Sequence, residues 1–174
     1  MAKRFGDGYN NSMQKLILVC GPAAIGKSTY CAGYAKSHPD ENVFVIAADE
    51  VRRELFGTYR QFPPGRDMSI IYEEMIRRAK RLCKETENLT VMLDTTLLYD
   101  DRREYFVQEL PEFDCFVLTL LKMHDYTQCL IRNKQRTEDK WVPEDVILDM
   151  AKHYNDPSEH TKAMFNSVEE VYVD

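Results

Sequence analysis

The residues Gly21-Pro22-Ala23-Ala24-Ile25-Gly26-Lys27-Ser28 fit the spacing GxxxxGK[ST]. Glycines at both ends let the backbone wrap so that its N–H groups turn inward, a cradle for phosphate oxygens. Lys27 is then placed to reach the β- and γ-phosphates of a nucleoside triphosphate, and the Ser28 hydroxyl to ligate Mg2+. Ala23, Ala24 and Thr29 complete the wrap around the phosphates. Ile25 stands where many such loops carry a small polar residue. Because the loop works through backbone, the Ile25 side chain is expected to matter little.

Phosphoryl transfer also needs carboxylates, one near the metal and one to orient and deprotonate the attacking hydroxyl. Asp94 closes the apolar run Val91-Met92-Leu93 and reads as the acid supporting Lys27, Ser28 and the metal. Asp49 follows another apolar run and is the candidate base, although an aspartate before a helix is also a common cap. Arg52, one turn after Asp49, is placed to meet a substrate phosphate. Arg132, Lys134 and Arg136 form a basic segment between two predicted helices, suited to closing as a lid over a nucleotide. The run Arg77-Arg78-Ala79-Lys80-Arg81 reads as a solvated helix face, and Trp141 as either a stacking platform or packing.

These residues need elements to hold them. Leu16–Cys20 reads as a strand buried on both faces, and Lys27 to about Lys36 as the helix after the loop. Val43–Ala47 is a second strand, Glu50–Phe56 a short helix, and Gly57 through Gly65 a breaker cluster containing Pro63-Pro64. Apolar residues Ile71, Met75, Ala79, Leu82 and Cys83 recur at helical spacing within about 68–86. Leu89–Leu93 is a third strand, and Asp101 with Glu104 resembles a capping box opening a helix to about Leu110. Phe113–Leu121 holds a fourth strand, Tyr126–Asn133 a helix, and Val168–Val173 a last strand. Pro143 sits at the first position of a helix reaching about Tyr154. Strands alternating with helices give an α/β class, a mostly parallel five-stranded sheet flanked by helices with a helical lid. Residues 1–14 read as a flexible leader and 15–174 as a single domain.

Composition narrows the classes. The 174 residues carry 29 acidic and 23 basic side chains, a net −6, which argues against a protein coated in phosphate-binding charge. With 44% hydrophobic residues the chain can bury a substantial core. No run approaches the roughly 18 apolar residues of a membrane span. A cytoplasmic protein with no membrane partner is expected. Five cysteines without a CxxC pair read as reduced thiols, and four histidines show no metal-binding spacing.

Taken together, Gly21–Thr29, Asp49-Glu50-Val51-Arg52, Asp94-Thr95-Thr96 and Arg132-Asn133-Lys134-Gln135-Arg136 with Val142-Pro143 beyond resemble one family. It is the kinase domain of phage-type polynucleotide 5′-kinases, in the zeta-toxin-like group of P-loop kinases. The resemblance implies a P-loop NTPase fold and ATP and Mg2+ as cofactors. It implies ATP contacts from Gly21, Ala23–Thr29, Arg132 and Arg136, and metal contacts from Ser28 and Asp94. Asp49, Lys27 and Arg136 would be catalytic, while Arg52, Asp94 and Thr96 would bind the acceptor, a nucleic-acid 5′-end or a nucleotide. Thr96 departs from the family's Asp-Thr-Asn pattern. A different hydroxyl acceptor (a small metabolite, a nucleotide-sugar or a hydroxymethylated base in DNA) is the alternative, as is a nucleotide-binding module without catalysis.

Overall fold

The computed structural model describes residues 13–60 and 68–174. Most of the expected leader, and the Pro63-Pro64 end of the breaker cluster, lie outside the described residues. The elements run β1 (Lys15–Cys20), α1 (Lys27–Ser37), β2 (Asn42–Ala47), α2 (Ala48–Phe56), α3 (Ser69–Glu85), β3 (Leu89–Asp94), α4 (Asp100–Glu109), β4 (Cys115–Lys122), α5 (Gln128–Gln135), α6 (Glu144–Lys152), α7 (Glu159–Lys162) and β5 (Ser167–Tyr172). A single 3-10 turn, Glu138–Lys140, lies between α5 and α6.

The five strands form one sheet in the order β2-β3-β1-β4-β5, and every neighbouring pair is parallel. Parallel strands need covered faces, which explains why β1 and β3 are continuous apolar runs rather than alternating ones. One face carries Leu16, Leu18, Val91 and Leu93 against Met75, Ala79 and Phe106 of α3 and α4. The other carries Ile17, Val19 and Met92 against Cys31, Cys129 and Ile147.

Register then fixes the site. Asp94 lies level with Val19 of β1 and with Ala47 of β2. The phosphate loop leaves β1 just beyond that level, and Asp49 follows β2 just beyond it, so three separated sequence segments meet at one end of the sheet. Ligands of open α/β sheets bind in that crevice, beyond the carboxyl ends of the strands.

Some local expectations change. Helix α2 begins at Ala48, so Asp49 lies inside the first turn rather than before it. Tyr99, not Asp101, occupies the N-cap of α4 and no side chain caps it. Asp100 instead accepts from the Ser158 backbone N–H, and Glu104 accepts from the Thr161 hydroxyl. These contacts anchor α7, a short helix that no periodicity in the sequence announced. The basic run of α3 is not simply solvated: Arg78, half-buried, donates to Glu74 and to Glu54 of α2, Arg77 donates to Glu74, and Lys80 donates to Glu112.

Candidate active site

The phosphate loop is built on three residues with positive φ: Gly21 at 154°, Ala24 at 64° and Gly26 at 111°. Gly21 also approaches its neighbours closely, since a Cβ there would sit 2.8 Å from the Ile25 side chain. That contact corrects the expectation for Ile25. Its side chain is fully buried beneath the loop, packed with Val19 and Met92, and holds the loop up from below. The Gly21 N–H donates to the Thr96 carbonyl at 2.9 Å, tying the loop to the end of β3.

Helix α1 starts at Lys27 with no side-chain cap and no acid in its first turn. Helices α3 and α5 share that lack, whereas α2, α4, α6 and α7 carry an acidic residue there. What sets α1 apart is the glycine-bounded loop before it, which leaves its positive pole open to an anion. Lys27, 9% exposed, folds back so that its ammonium donates to the carbonyls of Gly21 and Pro22, each at 3.0 Å. Burial pushes its pKa down, Asp94 and Asp49 pull it back up, and Arg136 pushes it down again. A buried ammonium bonded only to backbone carbonyls is poised to exchange them for phosphate oxygens.

Ser28 donates to Asp94 at 2.9 Å. The pair offers two hard oxygens, the donor type Mg2+ takes, and the remaining positions would fall to phosphates and water. Among the described residues there is no group of three His, Cys, Asp or Glu side chains that would hold a metal alone. A metal shared with a nucleotide suits Ser28 and Asp94 well.

Asp49 stands across the mouth of the crevice between two guanidiniums. Arg52 donates to one carboxylate oxygen at 2.7 Å, and Arg136 lies 3.6 Å from the other. The carboxylate is half exposed while the Arg52 side chain is buried, so Arg52 fixes Asp49 from behind. Arg52 also reaches the Met68 sulfur at 3.7 Å.

Arg136 arrives there through a stapled loop. The Asn133 amide, 1% exposed, donates to the Val142 carbonyl at 2.8 Å and accepts from the Val142 N–H at 3.0 Å. Trp141 donates its indole N–H to the Arg136 carbonyl at 2.9 Å, and Lys134 lies over its ring. The segment docks on α2, with Lys140 3.5 Å from Glu50 and the Arg60 guanidinium donating to the Glu138 carbonyl. Arg132 takes another course: its guanidinium donates to the Ile25 carbonyl at 2.6 Å and to the Val173 carbonyl. It braces the phosphate loop against the last strand. Thr96 is half-buried and its carbonyl, not its side chain, has the contact just described.

A profile of the AAA domain family matches residues 16–157. The chain belongs to that family. Its phosphate loop, five parallel strands and flanking helices are those of the P-loop NTPase fold expected from the sequence. This AAA domain is 27% identical over 146 residues to the L-seryl-tRNA(Sec) kinase of Methanococcus maripaludis, covering 82% of this chain and 53% of that protein. It superposes with a TM-score of 0.69 on a chain of the Pnkp1/Rnl/Hen1 RNA repair complex, at 18% identity over 93% of this chain and 49% of that one. Chaetomium thermophilum Kti12 in complex with ADP-AlF3 gives 0.64 at 12% identity, covering 91% and 89%. The AAA domain thus spans about half the length of the first two relatives. Among the described residues no helix is long and apolar enough to cross a membrane.

Two features of the AAA domain escaped sequence reasoning. Asn133 was visible inside the Arg132–Arg136 motif, but its partner Val142 lies beyond a loop whose closure no spacing announces. Arg103 is fully buried and donates to the carbonyls of Leu97, Leu98 and Asn155, holding the chain after β3. Tyr154 beside it donates to the Cys20 carbonyl at 3.1 Å, just before the phosphate loop.

Proposed function

We propose that this protein transfers the γ-phosphate of ATP to a hydroxyl, with the 5′-hydroxyl of a polynucleotide or nucleotide as acceptor. The observation carrying the reading is Asp49, a solvent-facing carboxylate held by Arg52 and faced by Arg136 opposite the phosphate loop. The phosphate side alone would suit any P-loop nucleotide binder; a fixed base across from it suits an attacking hydroxyl.

In this scheme Gly21, Ala23–Thr29 and the α1 N-terminus bind the ATP phosphates, and Arg132 keeps the loop in shape. Lys27 and Arg136 neutralise charge on the transferring group. Mg2+, held by Ser28 and Asp94 with the phosphates, would add charge neutralisation between the β- and γ-positions. Asp49 orients the hydroxyl and takes its proton as the acceptor oxygen bonds to the γ-phosphorus and the bond to the bridging oxygen breaks, leaving ADP. In the same scheme Arg52, besides fixing Asp49, would meet the phosphate adjoining a 5′-hydroxyl, and Thr96 would contact the acceptor. The RNA repair complex with which the fold aligns supports a nucleic-acid end as acceptor.

A second reading rests on the identity to an L-seryl-tRNA(Sec) kinase: the acceptor is then the hydroxyl of a seryl group carried on tRNA. One assay separates the two. With γ-labelled ATP and Mg2+, label is expected on 5′-hydroxyl DNA or RNA and on a 3′-nucleotide, and not on 5′-phosphorylated controls. Label on seryl-tRNA alone would replace the first reading by the second. Asp49→Asn is expected to lower kcat by roughly 10²–10⁴ with ATP affinity nearly unchanged; retention of most turnover would remove Asp49 from its role.

A further inference from the structure

Two crevices among the described residues bear on the acceptor, one against β2 and α2 and one between α3 and α4. The larger, about 530 Å³, runs from Ser28 and Asp94 along the open edge of β2 and is lined by Glu50 and Glu54 on one face of α2. Asp49 and Arg52, three residues apart, share a different face by helical spacing. Arg52 leads away from the larger crevice to Met68, whose carbonyl accepts the Tyr72 N–H at 3.0 Å. There the second crevice, about 260 Å³, lies between the starts of α3 and α4, lined by Ser69, Tyr72, Asp101, Arg102 and Tyr105.

The chemistry of that second crevice is distinctive. Arg102 lies over the Tyr72 ring, 5.3 Å from its centroid, a stacking that pre-orients a guanidinium without consuming its donors. Most of the arginines around it (Arg52, Arg53, Arg77, Arg78 and Arg103) are spent on carboxylates. Among the described residues the Arg102 guanidinium meets none, in a chain with more acids than bases. Asp101, the acid of the crevice, accepts from the Arg102 backbone N–H. An exposed arginine over a buried tyrosine, with the half-buried Tyr105 lining the same crevice, offers what single-stranded nucleic acid calls for: a cation for phosphate and a ring for a base.

Resting on the 5′-hydroxyl reading above, we infer that the crevice between α3 and α4 is the subsite for the second nucleotide of the acceptor strand, Arg102 holding its phosphate and Tyr105 its base. The interior contacts from Asp49 through Arg52 and Met68 to Tyr72, with Arg52 and Tyr72 both buried, join the ground beneath Asp49 to the ground beneath Arg102, and the strand would cross above them. The overall acidity of the protein then fits a kinase that grips the end of a strand at two phosphates and no further.

The test measures KM for a 5′-hydroxyl trinucleotide and for a 3′-nucleotide, at several salt concentrations, in wild type, Arg102→Ala, Tyr105→Leu and the charge-matched control Lys36→Ala. Wild type should prefer the trinucleotide, and Arg102→Ala should erase most of that preference, a change of roughly 5- to 10-fold in the KM ratio. Its salt dependence for the trinucleotide should flatten by about one phosphate contact, and Tyr105→Leu should lower the ratio without that flattening. Lys36→Ala should leave the ratio as it is. An Arg102→Ala variant that weakens both acceptors equally, or neither, overturns the subsite while leaving the 5′-hydroxyl reading in place. Wild type that labels neither acceptor overturns both.

Discussion

The phosphate loop and the Asp49 side of this site are made in opposite ways. On the phosphate side, Gly21 to Ser28 are contiguous, and most of what holds them is local: positive φ at Gly21, Ala24 and Gly26, Ile25 beneath, and Lys27 folded onto its own loop. Across from the loop, only Asp49 and Arg52 are close in sequence. Arg136 reaches Asp49 from a loop between α5 and α6, and they meet because Asn133 and Trp141 close that loop while Lys140 and Arg60 hold it against α2 and the residues after it. A local cradle tolerates change elsewhere but not within itself; an assembled one depends on each distant strut.

Three changes would break or sharpen the contrast. The largest effect is expected from Gly21→Ala, which forces a side chain into left-handed backbone and within 2.8 Å of Ile25. A loss on the order of 2–4 kcal/mol is expected, read as a lowered Tm together with lost ATP binding. Retained ATP affinity would mean that the loop is less locally determined than its geometry indicates.

Next comes Asn133→Ala. It leaves the Val142 N–H and carbonyl without their partner, at a cost of about 1–3 kcal/mol, and frees the loop carrying Arg136. Turnover should fall by more than ATP affinity does. Equal falls in both would show that the staple serves the whole fold rather than the Asp49 side.

The smallest effect concerns the scaffold joining α2 to α3. Hydrogen bonds from Arg77, and then from Arg78, hold the Glu74 carboxylate at about 2, below its usual 4.5, against the opposing effect of partial burial. A carboxylate with a lowered folded pKa contributes stability above its unfolded value, and that contribution disappears as pH falls from 4.5 toward 2. Partial exposure of the cluster limits the effect to on the order of 1 kcal/mol. Urea unfolding across this acid range should therefore be less pH-dependent in Glu74→Gln than in wild type, and identical slopes would remove Glu74 from the acid response.

Much of the frame was legible in one dimension. The apolar runs of β1 and β3, the GxxxxGK[ST] spacing and the alternation of strands with helices each rest on periodicity or local backbone preference, and each appears in the fold as an element near its expected bounds. Where reading by pattern failed, a partner from afar had overridden a local preference. Glu104 was drawn off to Thr161 of α7 instead of forming a capping box with Asp101, and Ile25 proved to be core because the sheet's other face lies directly under it.

The sequence by itself determined the class of the fold and the phosphate loop, since both are encoded by residues close together whose φ preferences and hydrophobic spacing act within a turn or a strand. Only the tertiary structure decided that Asp94 would lie level with Val19 and Ala47, that Arg132 would brace the loop, and that Arg136 would stand beside Asp49. Those are contacts between segments far apart along the chain. Their geometry is set by parallel register and by buried polar groups finding partners, neither of which a local pattern contains.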